Sequence, residues 1–184
     1  MNIFDFDGTI RKGDSIVSFY LFCLFRRPYL VFLLPVQGIA ALLWAVKAID
    51  ITAFKQAFYI YFRFINAEKL TVPFWKKERT KIYSWYSSIH TENDIVISAS
   101  PEFLLIPICK DLGIKTVIAS RVDPATGTYT GKNCSGEEKR LRFLELFPDS
   151  KVENSYYDRD SDLSVSMLAS HGFRIVNGLP VQEF

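Results

Sequence analysis

The stretch Asn2-Ile3-Phe4-Asp5-Phe6-Asp7-Gly8-Thr9 decides the fold of this 184-residue chain. Asn2 to Phe6 is short and has three apolar residues, Ile3, Phe4 and Phe6, which predicts a buried strand, and Asp7-Gly8 is the turn signal that ends it. Two acids two positions apart at a strand end both reach one crevice if the turn breaks strand alternation, and Gly8 permits such a turn. Ligands bind in that crevice in open parallel sheets. One carboxylate is then placed to attack phosphorus and the other to move protons. A helix cap or a calcium-loop fragment would use the same residues.

Outward from this strand, short apolar runs alternate with helical ones. Residues 94–99 (DIVISA) and 115–119 (KTVIA) predict strands, with a helix from Pro101 to about Leu112 between them. Residues 123–131 read as a turn with a short hairpin, 137–146 as a helix, and 152–157 and 173–176 as further strands. This alternation predicts the α/β class with a parallel sheet.

Residues 14–66 interrupt the pattern. They hold 13 of the 28 aromatic residues and only seven charged side chains. Phe54, Phe58, Tyr61, Phe62 and Ile65 follow helical spacing, with Lys55, Gln56, Arg63 and Asn66 toward the other side. Trp75, Ile82, Trp85, Tyr86 and Ile89 predict another amphipathic helix, starting near Pro73. Residues 28–46 are nineteen in a row without a charge, flanked by Arg26, Arg27 and Lys47, close to the length of a membrane span. If strands on both sides of the run share one sheet, the chain must return to its starting side. The neighbouring uncharged run, 15–25, reaches only about 16 Å as a helix. A helical insertion that lies on or dips into a bilayer fits better than two crossings. A cap buried on its own core, or in a homodimer, fits the same composition.

Charge sharpens the division. Residues 14–91 carry ten Lys/Arg against four Asp/Glu, and residues 92–184 ten against fourteen. The net charge of +2 gives no nucleic-acid signal, and 49% hydrophobic residues exclude a disordered chain. Cys23, Cys109 and Cys134 form no framework, which predicts reduced, buried thiols; the first residues predict no signal peptide, and both point to the cytoplasm.

Three later features add to the first. The strand 94–98 ends in Ser98, suited to hydrogen-bonding a phosphoryl oxygen; Ser100 is its rival. Lys139 stands at a helix start, where a lysine is ordinarily solvated and the dipole prefers acids. Asp158, Asp160 and Asp162 cluster beyond a strand, hard oxygen ligands of the kind that suits Mg²⁺, although Asp160 or Ser161 would also serve as a helix cap. His90 and His171 read as surface or capping residues.

The ordered set Asp5-x-Asp7-x-Thr9, Ser98, Lys139 and Asp158-x-x-x-Asp162 resembles the four motifs of the haloacid dehalogenase superfamily, in its phosphatase branch with a small helical cap. The resemblance implies a Rossmann-like core at 1–13 and 67–184 with a hydrophobic all-α cap at 14–66. It implies Asp5 as nucleophile and Mg²⁺ ligand, and Asp7 as general acid and base with its backbone carbonyl toward the metal. Gly8, Thr9, Ser98 and Lys139 would bind phosphate. Asp158 would hold Mg²⁺, with Asp162 behind it and Asp160 competing for that place. Tyr157 departs from the small residue frequent before the metal aspartate. Phosphoserine phosphatases share this subclass, but the greasy cap, with Asp14 and Cys134-x-Gly136-x-Glu138-Lys139, is more similar to the phosphatidylglycerophosphatase C group. The implied substrate is a lipid phosphate such as phosphatidylglycerol phosphate at the cytoplasmic membrane face, peripheral or re-entrant. The alternatives are a soluble small-metabolite phosphatase and a silent membrane-associated interaction module.

Overall fold

The computed structural model describes residues 1–184. The chain opens with β1 (Asn2–Phe4) and then runs through helices before its next strand. These are α1 (Ser15–Arg26), a 3-10 turn at Pro28–Leu33, α2 (Leu34–Ala45), α3 (Ile51–Phe58), a 3-10 segment at Tyr59–Phe64, α4 (Ala67–Glu78) and α5 (Ser84–Ile89). From there strands and helices alternate: β2 (Ile95–Pro101), α6 (Glu102–Asp111), β3 (Thr116–Ser120), α7 (Glu137–Leu146), β4 (Val152–Tyr157), α8 (Leu163–Ser166), β5 (Ala169–Val176) and β6 (Leu179–Gln182). The six strands form one sheet in the order β3-β2-β1-β4-β5-β6, parallel except for the β5-β6 hairpin. This is the α/β, Rossmann-like arrangement. Its strand order reverses direction at β1, where a crevice opens at the carboxyl edge.

Alternation along the strands divides the core. Ile3, Ile95, Ile97 and Val152 face α7 and α8 with Phe143 and Val165. Phe4, Phe6, Val96 and Tyr156 face the helices that follow β1 and β2, in a cluster of 25 buried residues that holds most of the buried aromatic side chains. Phe4, Tyr156 and Phe173 stand on neighbouring strands and stack in turn, with ring centroids 4.5 and 4.9 Å apart. Such cross-strand aromatic pairs pin the register of β1, β4 and β5.

Some expected boundaries move. β1 stops at Phe4, two residues early, because the chain then turns back so that Arg11 N donates to Phe6 O. The helix expected from Pro73 to Ile89 is two helices. α4 begins at Ala67, where Asn66 Oδ1 accepts from Lys69 N, and Pro73 lies inside it. It ends because Lys81 O and Ile82 are recruited by the loop after β1: Lys12 N donates to Lys81 O and Tyr83 N to Ile10 O. The run 28–46 is divided as well. Pro28 opens the 3-10 turn, and Pro35 sits in the first turn of α2, where its missing N–H costs nothing. β6 was not foreseen; Asn177 and Gly178, both at positive φ, form the tight turn that leads into it.

Candidate active site

β1 is the central strand, and Asp5 N still donates to Tyr156 O at 2.9 Å, so Asp5 projects from the sheet's carboxyl edge between β2 and β4. The next residues fold over at once. Gly8 adopts φ +83°, and its N–H donates to Arg11 O at 2.8 Å. The turn delivers Asp7 to the start of α1. Asp7 Oδ1 accepts from Ser15 N at 2.8 Å, and Oδ2 accepts from the hydroxyls of Ser15 and Ser100. Asp14 caps α1 by accepting from Ile16 N and Val17 N. The break in alternation permitted by Gly8 therefore places both acids on one cleft.

Lys139 lies in the first turn of α7 and is buried, not solvated. Its Nζ is 2.6 Å from Asp5 Oδ1 and 2.8 Å from Asp162 Oδ1. Asp158 follows β4 directly. Candidate ligand oxygens of Asp5, Asp158 and Asp162 all lie within 4.8 Å of one another. Asp158 Oδ1 is buried without a hydrogen-bond partner. A Cβ on Gly8 would come within 2.2 Å of Asp158 Oδ2, so only glycine lets the two loops approach this closely. Three carboxylates this close together, two of them on one ammonium and the third with an orphaned oxygen, fit a hard divalent cation such as Mg²⁺. The Asp7 carboxylate faces the two serines instead and is not part of this group.

The electrostatics follow from burial. Burial pushes the Asp5 carboxyl up to about 7 against the pull of the Lys139 ammonium. Asp7 is pushed up to about 6 by burial and by the charge of Asp14, against hydrogen bonds from Ser100 and Ser15. Burial opposes the Lys139 ammonium, but Asp5 and Asp162 outweigh it and hold it above the usual lysine range. Asp158 is raised, again chiefly by burial.

The cleft, about 110 Å³, gathers Asp5, Asp7, Ser98, Lys139, Asp158 and Asp162. Gly8 and Thr9 do not line it. Thr9 is fully buried beneath the turn, and Gly8 acts through the room it leaves Asp158. Asp160 points away and pairs with Arg174 at 2.7 Å, which leaves Asp162 alone at Lys139. Ser98 and Ser100 both line the cleft: Ser98 Oγ accepts from Ser100 N, while Ser100 holds Asp7. His90 is a structural partner of Asp94 and Tyr86, and His171 is exposed. Sequence reasoning missed Ser15, Arg159 and Lys55 as cleft residues. Lys55 stood on the polar side of an aromatic stripe; that side faces the cleft and the turn after β3, where Gln56 Oε1 accepts from Tyr129 N.

A family model, that of the haloacid dehalogenase-like hydrolases, matches residues 3–166, a span that holds every one of these cleft residues. The chain belongs to that family. No curated protein matches the hydrolase in sequence. Among solved structures it is similar to a protein of unknown function from Bordetella pertussis Tohama I, with 14% identity over 95% of this chain and 88% of that one and a TM-score of 0.75. It is also similar to a phosphoserine phosphohydrolase-like protein from Francisella tularensis, with 14% identity over 97% and 88% of the two chains and a TM-score of 0.61. A probable phosphoserine phosphatase from Vibrio cholerae shares 12% identity over 93% of this chain and 55% of its own, with a TM-score of 0.66. At these identities the likenesses establish the fold of the hydrolase.

Proposed function

We propose that this hydrolase is a Mg²⁺-dependent phosphomonoesterase that works through an aspartyl-phosphate on Asp5, with a lipid phosphate as substrate. The observation that carries the chemistry is the convergence of Asp5 and Asp7 on one cleft, with Lys139 and Asp162 beside the first and Ser100 beside the second.

Asp5 attacks phosphorus through one carboxylate oxygen as the ester P–O bond breaks. Asp7, whose carboxyl holds a proton up to about 6, gives that proton to the departing alkoxide. Water then attacks the acyl phosphate, and Asp7 takes its proton as phosphate leaves and the Asp5 carboxylate is restored. Lys139 and Ser98 hold the transferring group. Asp5, Asp158 and Asp162 would hold Mg²⁺, which would supply positive charge that keeps Asp5 ionised and offsets charge on the phosphoryl oxygens.

The lipid assignment is supported by the helical insertion at 14–66, the cap in this reading. Pro28–Ala45 is long and apolar enough to cross a membrane by length and composition, yet only 17% of it is buried. Phe25 and Phe32 are 85% and 82% exposed, Ile39, Leu42 and Val46 are exposed as well, and Arg26, Arg27 and Lys47 flank the run in sequence. Exposed apolar side chains in such number, with basic residues at both ends of the run, suit the anionic cytoplasmic face of a bilayer. The test is phosphate release by the purified protein with Mg²⁺ from phosphatidylglycerol phosphate in vesicles, from phosphoserine and from phenyl phosphate. Release from vesicles is expected to be fastest. Release from soluble esters alone would overturn the lipid assignment and favour a metabolite phosphatase. Release from none would overturn the enzyme.

A further inference from the structure

The helical insertion contributes one cation to the cleft, Lys55 of α3. Its Nζ donates to Ala99 O and to Asn133 Oδ1, both at 3.3 Å, and it makes no ion pair. Asn133 Oδ1 is shared, since it also accepts from Ser120 and from Tyr129. The other cleft cations are differently engaged. Lys139 is held between Asp5 and Asp162, and Arg159 leans on Asp158 at 3.4 Å. Lys55 is therefore a cleft ammonium with only long bonds to neutral oxygens. Burial lowers it, and the charges of Asp14 and Asp7 do not restore it.

Its position is fixed. Tyr129 N donates to Gln56, the next residue of α3, and Arg63 Nε donates to Thr126 O. A Cβ on Gly127 would come within 2.4 Å of Tyr59 O, so the insertion sits directly on the turn after β3. Lys55 is thus held at the cleft on the side of the insertion, away from the Lys139 cluster on α7.

Resting on the phosphomonoesterase reading, we propose that Lys55 determines specificity by binding a second anionic group, carried on the leaving-group side of the substrate. A charge-assisted bond from an ammonium to an anion replaces two weak neutral ones, so a substrate with such a group gains where a plain ester does not. A lipid phosphodiester and the carboxylate of a soluble metabolite share this chemistry.

The test compares wild type, Lys55→Met and Lys55→Arg on three esters with Mg²⁺. Phenyl phosphate lacks a second anion, phosphoserine carries a carboxylate, and phosphatidylglycerol phosphate in vesicles carries a phosphodiester. Lys55→Met is expected to lose about tenfold or more in kcat/KM, mostly through KM, on the ester whose second anion Lys55 holds. It should stay within about threefold on phenyl phosphate, and Lys55→Arg should recover most of the loss. A loss confined to phosphoserine names the carboxylate as the partner; one confined to vesicles names the phosphodiester. Equal loss on all three, which would put Lys55 on the transferring phosphoryl group, overturns the proposal, as does no loss. Calorimetric titration of ethylphosphonate and 3-phosphonopropionate into the same proteins reads binding without turnover. Wild type should favour the second by about tenfold and Lys55→Met should not. That preference in a protein that turns over none of the esters would overturn the phosphatase reading and keep Lys55; its absence alongside unchanged turnover ratios would overturn Lys55 alone.

Discussion

Lys139 Nζ donates to Asp5 Oδ1 at 2.6 Å across 134 residues of sequence, and the same ammonium is 2.8 Å from Asp162. One buried cation thereby ties the end of β1 to the segment after β4. Lys139→Met leaves two buried carboxylates without their counter-charge. Breaking a buried pair from one side costs about 3–5 kcal/mol. Urea denaturation should show a loss in that range, together with loss of phosphate release. An unchanged midpoint would mean that the ammonium does not hold the site together.

Asp160 and Asp162 are chemically alike and two residues apart, yet the fold treats them oppositely. Asp162 is buried at Lys139, whereas Asp160 is exposed on Arg174. Asp162→Asn should weaken Mg²⁺ binding by about 10–100-fold and lower turnover, as expected for a group around a metal. Asp160→Asn should leave both unchanged and shift stability by less than about 1 kcal/mol. Metal titration of the two variants decides; equal effects would refute the distinction.

Gly8 carries two constraints at once, a φ of +83° and the close approach of Asp158. Gly8→Ala would strain the turn and drive a methyl into the Asp158 carboxylate. Turnover should fall by at least about tenfold, in line with the sensitivity of catalysis to small displacements, while the far-UV spectrum stays native. A fully active Gly8→Ala would show that the loops have room to separate.

The strands 152–157 and 94–99 were legible because β-branched and aromatic runs end at turn signals, and the first acids because a glycine follows them. What sequence could not show is pairing over distance. The burial of Lys139 depends on Asp5 and Asp162, and at a helix start a lysine ordinarily faces water. The choice between Asp160 and Asp162 was settled by Arg174 on β5, a strand that begins four residues earlier than the apolar signal at Phe173. Lys55 was hidden by its stripe: amphipathic spacing separates apolar from polar faces, but not water from a polar cleft.

Glu78 supplies a pH-dependent stability that is separate from catalysis. Arg11 is wholly buried, and its Nη2 donates to Glu78 Oε2 at 2.6 Å, while Lys81 approaches the same oxygen at 2.8 Å. Burial pushes the Glu78 carboxyl up, but the hydrogen bonds and charges of Lys81 and Arg11 outweigh it and leave it below the usual value of 4.5. A depressed carboxylate contributes stability that is fully present above its unfolded value and lost as pH falls through its folded one. The contribution should therefore be constant above about pH 5 and decline below 4.5. Glu78→Gln should be less stable than wild type at neutral pH, and the gap should narrow as the pH drops below 4.5. A gap that stays constant down to pH 3 would exclude this linkage.

The exposed aromatics of the insertion give the last prediction. Phe25 and Phe32 have little to pack against within the chain, whereas Trp44 stacks on Phe54 with centroids 5.0 Å apart. Phe25→Asp and Phe32→Asp should therefore leave folding intact, while Trp44→Asp disturbs the α2–α3 packing as well. Each phenylalanine taken out of water contributes about 1.5–3 kcal/mol, so the double variant forfeits several. Wild type should float with vesicles containing anionic lipid. High salt should weaken that flotation without abolishing it, because screening removes the contribution of Arg26, Arg27 and Lys47 but not the apolar one. The Phe25/Phe32 variant should remain at the bottom of the gradient with an unchanged melting curve. If wild type does not float but sediments as a dimer that Phe32→Asp splits, a second copy of the chain covers this face and the bilayer reading falls.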